Sequence, residues 1–170
     1  MAEDWQYYKI PSGWHKVTAT SESTCHSARY RAIASGMEIK VYNGAGSISV
    51  KNAVSFDIMN PLFSAVDLIA AALLSEVLLC IRDGFARCGE DLADLEGRVR
   101  LDIANPLAAA GVRGVDGLPS IERIEMDIYL FTFLEEKEAR ALIDEALRRA
   151  VCYHTLQRAF PVSLRLSFAE

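Results

Sequence analysis

The feature that most constrains this chain is an apolar run from Leu62 to Ile81 that contains only two acids, Asp67 and Glu76. A run of this length would match the hydrocarbon thickness of a bilayer. A carboxylate near the middle of a bilayer is costly, however, so a membrane span is disfavoured. We therefore expect a helix inside a folded domain. Because Leu68–Leu74 is apolar all round, both faces of this helix should be buried.

Size and charge indicate a single domain that binds neither nucleic acid nor a membrane. The 170 residues are 51% hydrophobic and carry a net charge of -5. That apolar content can offset chain entropy, so one folded domain is expected over residues 1–170. The acidic balance excludes a basic, phosphate-binding surface and argues against a polybasic membrane surface. The N-terminal MAEDWQYYKI has no apolar signal core, which predicts a cytoplasmic protein.

Alternating and helical patterns predict an α+β fold in the order β-β-β-α-β-β-α-β, with antiparallel sheets and two long helices. A β meander should cover about 15–55, a central helix about 62–88, and a ββαβ segment about 94–168. Gly89 is expected to cap the central helix. The strands expected in the meander are Lys16–Thr20, Ser27–Ile33, Met37–Tyr42 and Ser47–Val50.

The C-terminal half shows clear apolar faces. Strands are expected at Leu95–Ile103 and Ile121–Phe133, a loop at Ala104–Pro119, a helix at Glu135–Val151 and a last strand at Pro161–Phe168. The strand Ile121–Phe133 should bury every second residue, namely Ile124, Met126, Ile128 and Leu130. The helix should bury its apolar stripe, which is Leu142, Ile143, Ala146, Leu147 and Ala150.

Glu76 is the sharpest chemical anomaly of the sequence. A carboxylate within an apolar helix needs a cation or a hydrogen-bond donor, and buried acids of this kind are enriched at functional sites. The structural alternative is an ion pair with an arginine such as Arg29, Arg31 or Arg82, or a solvent-facing edge position. As a third reading, Glu76 is a general base near His154.

The cysteines predict reduced thiols rather than disulfides or a metal site. Cys25, Cys80, Cys88 and Cys152 contain no C-x-x-C pair, and the chain is large enough to fold without cross-links. Cys80 lies one helical turn after Glu76, whose charge would raise the pKa of the thiol. Cys152 is placed where the start of a short helix would favour a thiolate, with His154 two residues on. The alternative for both cysteines is a purely structural role, in which each packs in the core as a small hydrophobic side chain.

The segment Ser64–Gly89 resembles the long central helix of the OsmC/Ohr family, which typically reads P-x-E-L-L-x-A-A-L-x-x-C-x-A-x-x-L-R. The matching positions are Asp67-Leu68-Ile69 for E-L-L, Ala71-Ala72-Leu73 for A-A-L, Arg82 for the arginine and Gly89 for the glycine that follows. Glu135–Leu156 resembles the family's second helix, in which Cys152 matches the cysteine of a C-P-V motif. The resemblance covers about 15–168.

This resemblance implies an intertwined homodimer with sites at the subunit interface and no cofactor. Members of the OsmC/Ohr family reduce organic hydroperoxides with two cysteines, one that attacks the peroxide and one that resolves the product as a disulfide. An arginine and a glutamate position and activate the reactive thiolate. Arg29 and Arg31 lie in the region that supplies this arginine. Here Glu76 stands at the position of the reactive cysteine, and Tyr153 replaces the usual proline. A carboxylate cannot perform the thiol chemistry, because only sulfur cycles through a disulfide.

Two functions follow from the resemblance. The first is a stress-response protein acting as a variant thiol peroxidase on organic hydroperoxides, with Cys80 attacking and Cys152 resolving, which requires their Cα atoms within about 7 Å. The second is a non-catalytic OsmC-like domain that binds an apolar small molecule or a protein partner in the interface cleft, with Glu76 as its polar anchor.

Overall fold

A computed structural model describes residues 28–36, 38–57, 62–90 and 92–169 of the chain. The expected strand Lys16–Thr20 and Cys25 lie outside these residues. The chain divides into two compact units, Met1–Lys51 and Asn52–Glu170. Among the described residues, no helix is long and apolar enough to cross a membrane.

The described part of the N-terminal unit is an antiparallel meander, as predicted. It consists of β1 (Arg31–Ser35), β2 (Glu38–Tyr42) and β3 (Ser47–Val50), hydrogen-bonded in that order. Gly36 turns the chain at a φ of 64°, and the Asn43 side chain accepts hydrogen bonds from the backbone of Ala45 and Gly46. Glycine and asparagine at these turns set the register of the strands.

The second unit packs helices against one face of a three-stranded sheet. Its elements, in chain order, are α1 (Ala65–Cys88), β4 (Leu92–Ala104), α2 (Pro106–Ala109), β5 (Ser120–Thr132), α3 (Glu136–Leu147), α4 (Val151–Gln157) and β6 (Val162–Phe168). The strand order is β4-β5-β6. β5 and β6 run parallel, which corrects the expectation of antiparallel sheets throughout. The connection between them passes through α3 and α4 and brings the chain back to the same end of the sheet.

The predicted faces of β5 and α3 form the core. Ile124, Met126, Ile128 and Leu130 of β5 are all buried, as are Ile143, Ala146 and Leu147 of α3 and Ala150 just after it. Leu142, also expected in this stripe, is only partly buried, and the helix expected over Glu135–Val151 ends at Leu147. The opposite face of the sheet carries ion pairs between neighbouring residues and strands, among them Asp102 with Arg123 and Asp127 with Arg165. The sheet is therefore apolar on one face and charged on the other, which explains the alternation in the sequence.

α1 has sharply defined ends but buries only one of its faces. Ser64 and Asp67 form a reciprocal capping box at its start, and Gly89 ends it in the left-handed conformation, as predicted. The buried stripe is Leu73, Val77, Ile81 and Phe85. Ile69 and Leu79, in contrast, remain 38% and 46% exposed. The expectation that both faces are buried is therefore not met within one chain.

A glycine allows α1 and α3 to approach closely. A Cβ atom added to Gly84 would lie 2.7 Å from the Cβ of Ala146. Side-chain Cβ atoms cannot pack at that distance, so any larger residue at 84 must push the two helices apart.

Gly84→Ala should therefore lower the free energy of unfolding by about 1–3 kcal/mol, the usual cost of overpacking, despite alanine's higher helix propensity. Urea unfolding followed by circular dichroism measures the change. In an Ala146→Gly background the steric conflict is absent, and the same substitution should cost nothing or stabilise. An equal loss in both backgrounds would contradict the packing argument.

Candidate functional site

Glu76 projects from α1 to the start of α4. Its Oε1 accepts hydrogen bonds from the backbone N–H groups of Val151 at 2.9 Å and Cys152 at 3.0 Å, and its Oε2 accepts one from Tyr153 at 3.0 Å. These are the first three residues of α4. The predicted need for a hydrogen-bond donor is thus met by backbone amides, while Arg82 binds Asp83 instead.

This contact replaces a cap that the local sequence lacks. The N-cap residue of α4 is Ala150, whose side chain cannot accept a hydrogen bond. The first N–H groups of any helix have no partner inside the helix and carry partial positive charge. A carboxylate supplied from α1 satisfies three of them at once, so Glu76 ties α4 to the central helix.

Cys80 and Cys152 are both placed beside this carboxylate. Burial, the charge of Glu76 and a hydrogen bond with Glu76 raise the pKa of the Cys152 thiol. Burial, followed by the charges of Glu76 and Asp83, raises the pKa of Cys80, as its position on the helix predicts. At the start of α4 a backbone hydrogen bond lowers the pKa of the Cys152 thiol, as expected, but burial and Glu76 outweigh it. Both thiols are therefore protonated at neutral pH.

The other predicted ligands are described within the unit to which each belongs. Arg29 and Arg31 belong to the N-terminal unit and both are exposed. Arg31 is the first residue of β1, and Arg29 lies two residues before it. His154 lies on the exposed side of α4 and lines a surface cavity of about 380 Å³. Glu76 and Cys80 line another cavity, of about 330 Å³. Among the described residues, no group of histidine, cysteine, aspartate and glutamate side chains has the arrangement of a metal site.

A larger cavity, of about 950 Å³, was not anticipated from the sequence. It lies between the first turns of α1, the end of β4 and the segment that precedes α1. Its walls combine polar side chains with apolar ones, which include Val66, Ala70 and Leu74 of α1, and Val99, Leu101 and Ile103 of β4. The phenyl rings of Phe56 and Phe63 also line it, and each of these residues is 59% exposed. The capping-box motif at Ser64–Asp67 shows in the sequence where α1 begins. The cavity, however, forms only where β4 lies beside these first turns of α1.

Comparison with known proteins connects this architecture to one group of structures. No family model matches the sequence, and no curated protein matches it at a significant level. Solved structures do match. An OsmC-like protein from Mycoplasma pneumoniae superposes with a TM-score of 0.69 at 13% identity, covering 86% of this chain and all of the other.

The chain has an OsmC/Ohr-like fold. An organic hydroperoxide resistance protein from Elizabethkingia anophelis superposes with a TM-score of 0.63 at 14% identity, covering 87% of this chain and all of that one. A further organic hydroperoxide resistance protein, OsmC from Legionella pneumophila, superposes with a TM-score of 0.59 at 13% identity. This match covers 85% of this chain and 98% of the other. The resemblance inferred from the helix motifs is therefore confirmed at the level of the fold.

Replacing Glu76 should loosen α4 in this OsmC-like protein. Glu76→Ala leaves three backbone donors without their acceptor and is expected to lower the free energy of unfolding by about 1–3 kcal/mol. Glu76→Gln keeps one acceptor oxygen, so its free energy of unfolding should lie between those of Glu76→Ala and the natural chain. Chemical denaturation measures the loss, and hydrogen exchange should show faster exchange at Val151, Cys152 and Tyr153.

Glu145→Ala is a matched control on α3, because the Glu145 side chain is 63% exposed and pairs with the nearby Arg148. This variant should change neither stability nor exchange appreciably. Unchanged amide exchange at the start of α4 in Glu76→Ala would disprove the capping role.

Proposed function

We propose that this OsmC-like protein is a binding protein of the stress-response type, which holds an apolar small molecule in its 950 Å³ cavity. The observation that carries the proposal is the cavity itself. Its volume lies at the upper end of the range usual for small-molecule sites, and apolar surface exceeds polar surface in its walls. Glu76, the polar anchor suggested by the sequence, does not line this cavity, so the proposal rests on the walls formed by α1 and β4.

The chemistry around Glu76 supports binding over peroxide reduction. A peroxidatic residue must be a thiolate that is oxidised and then resolved. At position 76 the chain has a carboxylate, and its oxygens accept hydrogen bonds from α4. The two neighbouring thiols have raised pKa values, so at neutral pH only a small fraction of either is the nucleophilic thiolate.

A neutral fluorescent probe, N-phenyl-1-naphthylamine, tests the cavity. Its emission should rise and saturate when it is titrated into the full chain. Ala70→Trp fills the cavity from α1 and should abolish this rise, because the indole takes the space of the probe. Ala141→Trp, at an exposed position of α3, introduces the same ring outside the cavity and should bind as the natural chain does.

Circular dichroism establishes that both tryptophan variants are folded. If Ala70→Trp unfolds the chain, Ala71→Trp serves as the second filling variant, because Ala71 also lines the cavity. Absence of binding to the natural chain, or equal binding by the filling and control variants, would rule out this cavity as the site.

One observation favours the second candidate, a dithiol peroxidase: Cys80 and Cys152 share the carboxylate of Glu76 as a neighbour. In that reaction one thiolate cleaves the O–O bond of a hydroperoxide, giving an alcohol and a sulfenic acid. The second thiol condenses with the sulfenic acid, releases water and forms a disulfide, which an external dithiol reduces.

Under the binding proposal, cumene hydroperoxide should not be consumed in the presence of the protein and a dithiol beyond the rate without protein. Consumption by the natural chain that is lost in both Cys80→Ser and Cys152→Ser would establish the peroxidase instead. Cys88→Ser is the matched control, because Cys88 lies at the exposed end of α1.

We also propose that the protein is a cytoplasmic homodimer. Exposed apolar residues support this, with Ile69 and Leu79 on α1 and Ile33, Ile39 and Ile48 on the N-terminal sheet. A three-stranded sheet with so little burial gains stability by packing on another apolar surface.

Light scattering after size-exclusion chromatography should give twice the 18.8 kDa of one chain. Leu79→Glu should shift the mass toward one chain, because it places a charge on the apolar face of α1. Ala141→Glu on the exposed side of α3 should leave the mass unchanged. A natural chain with the mass of a monomer would exclude the dimer.

A further inference from the structure

We infer that the 950 Å³ cavity selects apolar ligands that carry a positive charge, such as an alkylammonium ion, and that Glu122 provides part of this selectivity. The inference deepens the proposed function and depends on it. It arises from the charges on the cavity wall, which all have one sign. Asp57, Asp67, Asp102 and Glu122 line the cavity, while lysine, arginine and histidine are absent from its described lining.

Asp67 and Asp102 illustrate carboxylates whose charge is engaged within the fold. Asp67 accepts a hydrogen bond from the backbone of Ser64 in the capping box of α1. Asp102 accepts hydrogen bonds from Arg100 and Arg123, and the contact with Arg123 lowers the pKa of its carboxyl. These acids therefore serve mainly to shape the cavity wall, and part of their charge is compensated.

Glu122 differs from them. Within the described residues its carboxylate forms no hydrogen bond or ion pair, and it acts on Arg123 only as a neighbouring charge. It is exposed at the edge of the cavity, beside the apolar wall formed by β4. A ligand with an apolar body inside and an ammonium group at this edge would meet a carboxylate, whereas a carboxylate ligand would meet a like charge.

The aromatic rings support the same choice of ligand. The exposed phenyl rings of Phe56 and Phe63 line the cavity. The face of an aromatic ring attracts a cation and repels an anion. Apolar walls, exposed rings and uniformly acidic polar groups therefore match a cationic amphiphile better than a neutral or an anionic one.

Displacement of N-phenyl-1-naphthylamine by three compounds with the same alkyl chain tests the inference. Decylammonium should bind about two- to fivefold more tightly than decanol, the range expected for one exposed charge pair, and decanoate should bind more weakly than decanol. The measurements are made on the full chain below the concentration at which the ligands aggregate. Added salt should reduce the advantage of decylammonium and leave decanol unaffected.

Glu122→Gln should lower the ratio of the decylammonium affinity to the decanol affinity, because it removes the carboxylate that faces the ammonium group. Glu138→Gln on α3 removes the same charge away from the cavity and should keep the preference. Binding of decanol with no preference among the three compounds, or tighter binding of decanoate, would overturn the inference and leave the proposed function standing. If neither the probe nor any of the three compounds binds, for example because a second copy of the chain fills the cavity, the proposed function and the inference are both wrong.

Discussion

The carboxylate of Glu76 is the contact on which the position of α4 against α1 depends. It reaches from the middle of α1 to three backbone amides at the start of α4, a helix that begins at an alanine and has no cap of its own. The close approach of α1 and α3 at Gly84 and Ala146 is set by packing alone. Glu76 adds a polar, directional constraint immediately after α3, where the chain turns before returning to the sheet.

The same contact also determines the surroundings of the two thiols beside it. Glu76 occupies the place that the family resemblance assigns to the attacking cysteine, and its charge lies beside both remaining thiols. Burial together with this negative charge raises the pKa of Cys80 and of Cys152. The residue that stabilises α4 thereby suppresses the thiolates on which peroxide chemistry would depend.

Several elements were predictable because their signals are local. β2 and β3 alternate between glycine- and asparagine-containing turns, and the structure places them within one residue of the prediction. The end of α1 at Gly89 follows from the ability of glycine to adopt positive φ. The buried faces of β5 and α3 follow from periodicity. α2 was missed, since four residues are too few for a helical period.

Periodicity, turn residues and the unusual acid in an apolar helix were sufficient to infer an α+β chain, its resemblance to OsmC proteins and the need of Glu76 for a donor. The identity of that donor depended on tertiary structure, because Val151, Cys152 and Tyr153 are more than 70 positions away in the chain. The parallel pairing of β6 and the cavity between α1 and β4 depended on it in the same way. Backbone amides and empty space have no residue-type signature, so they emerge only when distant segments pack together.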